Sequence, residues 1–262
     1  MGPFKDIGVE KIGHVALVEI RRPPNNFFDV ALIKEIASAF EALDGDADCR
    51  ALVFAAQGNA FCAGANFGDD DRDGGELLSG PRPGAAHLYL EGNRLFRTKK
   101  PIVAAIHGAA VGGGLGLAMV ADFRVTCPEA RFCANFTRLG FHPGFGLTVT
   151  LPAVIGPTKA ALMFYTSRRV RGDEAHVMGL ADLLVPQDQV RAAALALAAE
   201  IAENSPLGLI ATRTTLRGNL ADRVREATEQ ELAEQTRLRQ TDDFKEGVKA
   251  MAERRVPVFT NR

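Results

Sequence analysis

Residues 100–116 read Lys-Pro-Ile-Val-Ala-Ala-Ile-His-Gly-Ala-Ala-Val-Gly-Gly-Gly-Leu-Gly, and this stretch decides the fold class. The run 101–106 is apolar, short and bounded by a proline and a glycine-rich turn, which predicts a buried strand. The turn then opens a helix. Side chains are nearly absent in it, so backbone N–H groups can approach a ligand oxygen directly, at a helix N-terminus where the dipole favours negative charge. A second turn of the same kind, Gly-Asn-Ala-Phe-Cys-Ala-Gly-Ala-Asn at 58–66, follows the apolar run 51–55. Together the two outline an anion or oxyanion site.

Upstream, 13–20 predicts a strand broken by Pro23 and Pro24, and Asp29 is placed to cap a helix with apolar positions Leu32, Ile33, Ile36, Ala37, Phe40 and Leu43, ending near Gly45. Strand, helix and strand in succession predict an α/β fold with a parallel sheet and crossover helices. A helix over 86–98 and a strand over 123–127 continue the alternation. Beyond Gly156 the chain reads as helices at 158–166, 173–178, 187–203, 206–217 and 221–239. The predicted organisation is a core over 1–204 and a helical region over 205–262, whose apolar stripe Leu220, Val224, Ala227 and Leu232 has no evident partner in the core. The segment 67–86 carries Asp69, Asp70, Asp71 and Asp73 among glycines and prolines. It predicts a solvated mobile loop, and its spacing does not match a calcium loop.

With 31 Lys and Arg against 32 Asp and Glu, the net charge is −1, which gives no electrostatic footprint for nucleic acid or anionic membrane. A hydrophobic content of 47% excludes a disordered chain, and no apolar run approaches the ~20 residues that span a bilayer. Cys49, Cys62, Cys127 and Cys133 lack C-x-x-C or ligand-like spacing, so neither disulfide nor zinc is expected. With no signal arrangement at the N-terminus, a reducing cytoplasm is the expected location. A dinucleotide-binding reading of Gly108, Gly112 and Gly114 fails on other residues. Short-chain dehydrogenases need Tyr-x-x-x-Lys, whereas Tyr89 is followed by Asn93 and Tyr165 by Arg169.

The turns at 58–66 and 100–114, with Ala121-Asp122 and Leu139-Gly140-Phe141-His142-Pro143-Gly144, resemble the crotonase (enoyl-CoA hydratase/isomerase) superfamily in motif and order over nearly the whole chain. The resemblance implies a spiral core of strand-strand-helix units with a helical C-terminal oligomerisation region. It also implies an acyl-CoA thioester substrate, and no cofactor beyond the coenzyme A that the substrate carries. Its oxyanion hole, formed by the N–H groups of Ala65 and Gly113, would stabilise an enolate. The resemblance implies CoA contacts at Arg22, Ala63, Ala65, Asn66, Arg255 and Phe259. A homotrimer or a hexamer of paired trimers is expected, with Phe259 completing a neighbour's site.

The acid and base of the family's hydratases are glutamates at positions that here are Gly116 and Phe136. Neither a hydrogen atom nor a phenyl ring transfers protons, so decarboxylation, hydrolysis or an isomerisation with an unusual base is favoured over hydration. The alternative is a homologue that binds CoA or a partner without catalysis. His142 and Tyr89 are the replacement acid/base candidates, with Asn135 and Arg138 nearby and His87 on a different helix face. His107 reads as a loop brace.

Overall fold

The computed structural model describes residues 4–66 and 88–262. The expectations for 67–86 and for His87 fall outside these described residues. Strands β1 (Ile7–Ile12) and β2 (Val15–Ile20) form an antiparallel hairpin. Helix α1 (Val30–Asp44) follows, capped as the sequence predicts: Asp29 Oδ1 accepts from Leu32 N at 2.7 Å. The same carboxylate pairs with Arg22, so Asp29→Ala removes a cap and a half-buried ion pair together. The expected loss is about 1–2 kcal/mol, read as a lower urea midpoint at unchanged slope.

Three strand pairs then repeat one plan. β3 (Ala51–Ala56), β5 (Ile102–Ile106) and β7 (Phe123–Thr126) enter one parallel sheet, and each is followed by a short strand of a second sheet. Those short strands are β4 (Ala60–Cys62), β6 (Ala109–Val111) and β8 (Arg131–Cys133). The helices between pairs are α2 (Leu88–Leu95) and α3 (Gly113–Ala118). After β8 the chain continues through α4 (Leu147–Ile155), α5 (Pro157–Thr166), β9 (Val170–Arg171), α6 (Gly172–Met178), β10 (Leu183–Leu184) and α7 (Val190–Ala202). The large sheet has the order β1-β2-β3-β5-β7-β10 and the small one β4-β6-β8-β9. β2, β3 and β5 are buried along their whole length, as a sheet covered on both faces requires, and α7 packs across them.

The chain ends in α8 (Pro206–Arg217), α9 (Leu220–Leu238) and α10 (Asp242–Ala252). Here the expectation of a partnerless stripe is corrected. α9 lies on α2 and α4 of its own chain with Val224 fully buried, and the buried face continues through Thr228, Glu231 and Gln235. The stripe looked unfinished because polar residues complete it. Besides the short strands, three elements lack a clear local signal. β1 is an edge strand with exposed Glu10 and Lys11; α4 carries Pro152 and three β-branched residues in its first turns; α10 begins only after the Thr241 cap. No single helix among the described residues is long and apolar enough to cross a membrane.

Candidate active site

The spiral brings both glycine turns to one cavity of about 1290 Å³, large for a small-molecule site. β4 pairs in parallel with β6, Ala60 opposite Ala109, so the segments that follow them lie side by side. A methyl group on Gly64 would stand 3.8 Å from Gly113 N. Gly112 adopts φ +56°, ψ −121°, open only to glycine, and its N–H donates to Cys133 O at 2.8 Å. This turns the next N–H, that of Gly113, to the head of α3, where no intrahelical acceptor exists. Ala65 and Gly113 both border the cavity, and among the described residues neither N–H donates to a backbone carbonyl.

Four aromatic side chains also border the cavity, Phe28, Tyr89, Phe136 and Phe141, with the Phe28 ring standing directly against Gly113. Phe136 is buried, its ring centroid 5.6 Å from that of Phe141. Gly116 is not an empty slot. A Cβ built on it would meet Phe145 Cβ and Cδ1 at 2.8 Å, so the ring of Phe145 already occupies the space a longer side chain would need.

Of the two acid/base candidates, only Tyr89 borders the cavity. Its hydroxyl donates to Gln235 Oε1 at 2.9 Å, its ring stands edge-on to Phe145, and burial pushes the phenol pKa above its ordinary range. His142 lies outside the cavity lining; its Nδ1 is 2.8 Å from Pro143 O and its carbonyl accepts from Gln235 Nε2. The turn after Gly140 carries the imidazole past the site. Asn135, next to Phe136, lies in the lining with its Oδ1 3.2 Å from where a Cβ on Gly112 would stand. Arg138 borders the cavity too, its backbone N–H on Ser167 Oγ, and His107 Nε2 lies 2.9 Å from Gly58 O, bracing one glycine turn on the other.

Among the residues expected to meet CoA, Ala63, Ala65, Asn66 and Arg255 border the cavity. Arg22 does not: its guanidinium lies between Asp6 and Asp29, and these carboxylates hold its pKa above the ordinary value despite burial. Phe259 is also outside the lining, where the tail contributes Pro257 instead. Arg255 ties the tail to Glu246, whose carboxyl is lowered to about 2 by that guanidinium and by the N–H of Val258. Among the described lining residues there are six arginines, at 131, 138, 168, 169, 254 and 255, and no Asp, Glu or His. Such a lining draws in a polyanion, and its described residues offer no charged proton-transfer group. Sequence reasoning missed Phe145, Glu231 and Gln235, because nothing local marks a residue that acts on a site across the fold.

The enoyl-CoA hydratase/isomerase family profile matches residues 10–262. The chain is 32% identical over 246 residues to the probable enoyl-CoA hydratase of Bacillus subtilis, covering 94% of this chain and 95% of that protein. It is 31% identical over 266 residues to enoyl-CoA hydratase EchA19 of Mycobacterium tuberculosis, covering 98% and 97%. Among solved structures, an enoyl-CoA hydratase/isomerase from Pseudoalteromonas atlantica superposes with a TM-score of 0.87 at 26% identity, covering 98% of this chain and all of that one. DspI of Pseudomonas aeruginosa superposes at 0.75 with 30% identity, covering 99% and 98%.

Proposed function

The chain belongs to the enoyl-CoA hydratase/isomerase family, and from that premise we propose that it binds an acyl-CoA thioester and stabilises its enolate in a reaction that uses no glutamate pair. The observation that carries this reading is the pair of aromatic rings, Phe145 over Gly116 and Phe136 itself, where the hydratases of the family hold their glutamates. Decarboxylation of a malonyl-type thioester suits such a floor. The bond from the α-carbon to the carboxylate breaks, its electron pair enters the thioester enolate, and CO2 leaves. Water then protonates the α-carbon. The N–H groups of Ala65 and Gly113 receive the developing oxyanion, and the apolar wall of Phe28, Phe136 and Phe141 disfavours the charged carboxylate more than the delocalised enolate. No protein base is required.

The test is CO2 release from malonyl-type CoA thioesters, with the resulting acyl-CoA picking up deuterium from D2O at the α-carbon. Ala65→Pro deletes one oxyanion donor and is expected to lower that turnover by about 10²–10³-fold with thermal unfolding unchanged. Phe136→Leu is expected to leave the oxyanion contact working. A folded Ala65→Pro protein with full activity overturns the assignment. The filled slot over Gly116 also suits a non-catalytic acyl-CoA binder; tight acyl-CoA binding with neither CO2 release nor α-deuteration establishes that second reading.

A further inference from the structure

We infer that Phe145 is a specificity-determining residue which sets the depth of the acyl pocket, and that Glu231 of α9 is the positioning residue that holds it there. The inference rests on the acyl-CoA reading above and names the part of the molecule that selects among acyl groups.

Phe145 has a backbone that a bulky side chain rarely adopts, φ +62°, and Gly146 after it is also left-handed at φ +70°. A phenylalanine held in that region signals a demand from the surroundings. Its ring is 2% exposed and stands behind two rings that border the cavity, 5.8 Å from Phe28 and 6.2 Å from Tyr89 between centroids. Phe145 also packs on two backbones stripped to glycine. A Cβ on Gly92 would come within 2.9 Å of the ring, and one on Gly116 within 2.8 Å. The ring therefore fills the space among Phe28, Tyr89 and the glycine faces of α2 and α3, at Gly92 and Gly116.

The turn at Phe145 and Gly146 is held from outside. Glu231, 1% exposed, takes the N–H of Gly146 on Oε2 at 2.7 Å, and the N–H and hydroxyl of Thr148 on Oε1 at 3.1 and 2.6 Å. These are the donors at the head of α4, directly after Phe145. A buried carboxylate from a helix 85 residues away thus fixes the one turn whose side chain plugs the slot. The arrangement suits short acyl groups, since a longer chain would need the volume the ring occupies.

The experiment is calorimetric titration of the full chain with acetyl-, butanoyl- and octanoyl-CoA. Phe145→Gly relieves the backbone and empties the slot; it is expected to shift the octanoyl-to-acetyl affinity ratio at least tenfold toward octanoyl. Phe145→Leu carries the same test, with a smaller shift, where the glycine variant fails to fold. Glu231→Gln leaves Phe145 in place, and a shift in the same direction supports its positioning role, since a loss of stability alone would not move the ratio. A folded Phe145→Gly or Phe145→Leu protein with the wild-type ratio overturns the inference while acyl-CoA binding stands. Absence of binding to all three thioesters overturns the acyl-CoA reading and this inference with it.

Discussion

Hydration of crotonyl-CoA by the purified protein is expected to run on the order of 10⁴-fold below a two-glutamate enzyme, followed as loss of the conjugated enoyl-thioester absorbance. Syn-addition of water needs one group to activate the water and another to protonate the α-carbon, and each is typically worth ~10²–10⁴ in rate. Gly116 and Phe136 supply neither. The oxyanion donors alone stabilise a charge that no residue of the described floor creates. Adding one carboxylate back does not help: the Cβ of Gly116→Glu would lie 2.8 Å from two atoms of Phe145, so the variant is expected to lose stability without gaining activity. Only Gly116→Glu combined with Phe145→Gly and Phe136→Glu opens the slot and fills both positions, and hydration is expected to rise in that triple variant alone. A wild-type hydration turnover of ~10 per second or more, the middle of the ordinary enzymatic range, overturns the argument.

What could be read from the sequence was local. The two glycine turns announce themselves because a run of residues without side chains between apolar strands has few other uses, and Asp29 announces a helix because a cap works within one turn. Gly116, by contrast, reads in the sequence only as a loss. In the structure it is half of a packing pair with Phe145, 29 residues on, and Phe145 in turn answers to Glu231. In sequence Glu231 is one charge on a helix full of charges; its burial against Gly146 and Thr148 is what makes it different. His142 shows the opposite error. It lies near Phe136 along the chain and reads as an acid/base candidate, but its imidazole faces Pro143 O outside the cavity lining, and proximity in sequence at a turn says little about proximity in space. The second sheet escaped notice for a similar reason, since three-residue strands such as β4, β6 and β8 are too short to show a period of two.

Asp122→Ala is expected to cost about 3–5 kcal/mol of folding free energy and to lower the melting temperature by on the order of 10 °C, with one coincident transition by every probe. Asp122 sits before β7, where its Oδ2 accepts from Ile102 N, and it is the carboxylate that two arginines of α8 share: Arg213 Nε at 2.8 Å and Arg217 Nε at 3.0 Å. Both guanidiniums are largely buried, burial already pulls the Arg217 pKa below its ordinary value, and among the described residues Arg213 Nη2 and Arg217 Nη1 have no hydrogen-bond partner. Removing the carboxylate leaves two buried cations facing each other without a counter-charge, which is worse than never having placed them there. The staple joins the core to α8, so its loss should loosen both regions together and keep unfolding a single event. Arg213→Met in the Asp122→Ala background removes one orphaned charge and is expected to recover part of the loss, a coupling that a purely local packing defect at Asp122 would not show. A denaturant midpoint corresponding to less than ~1 kcal/mol of change for Asp122→Ala would mean the pair is solvated like a surface bridge, and the tie between α8 and the sheet would have to be sought elsewhere.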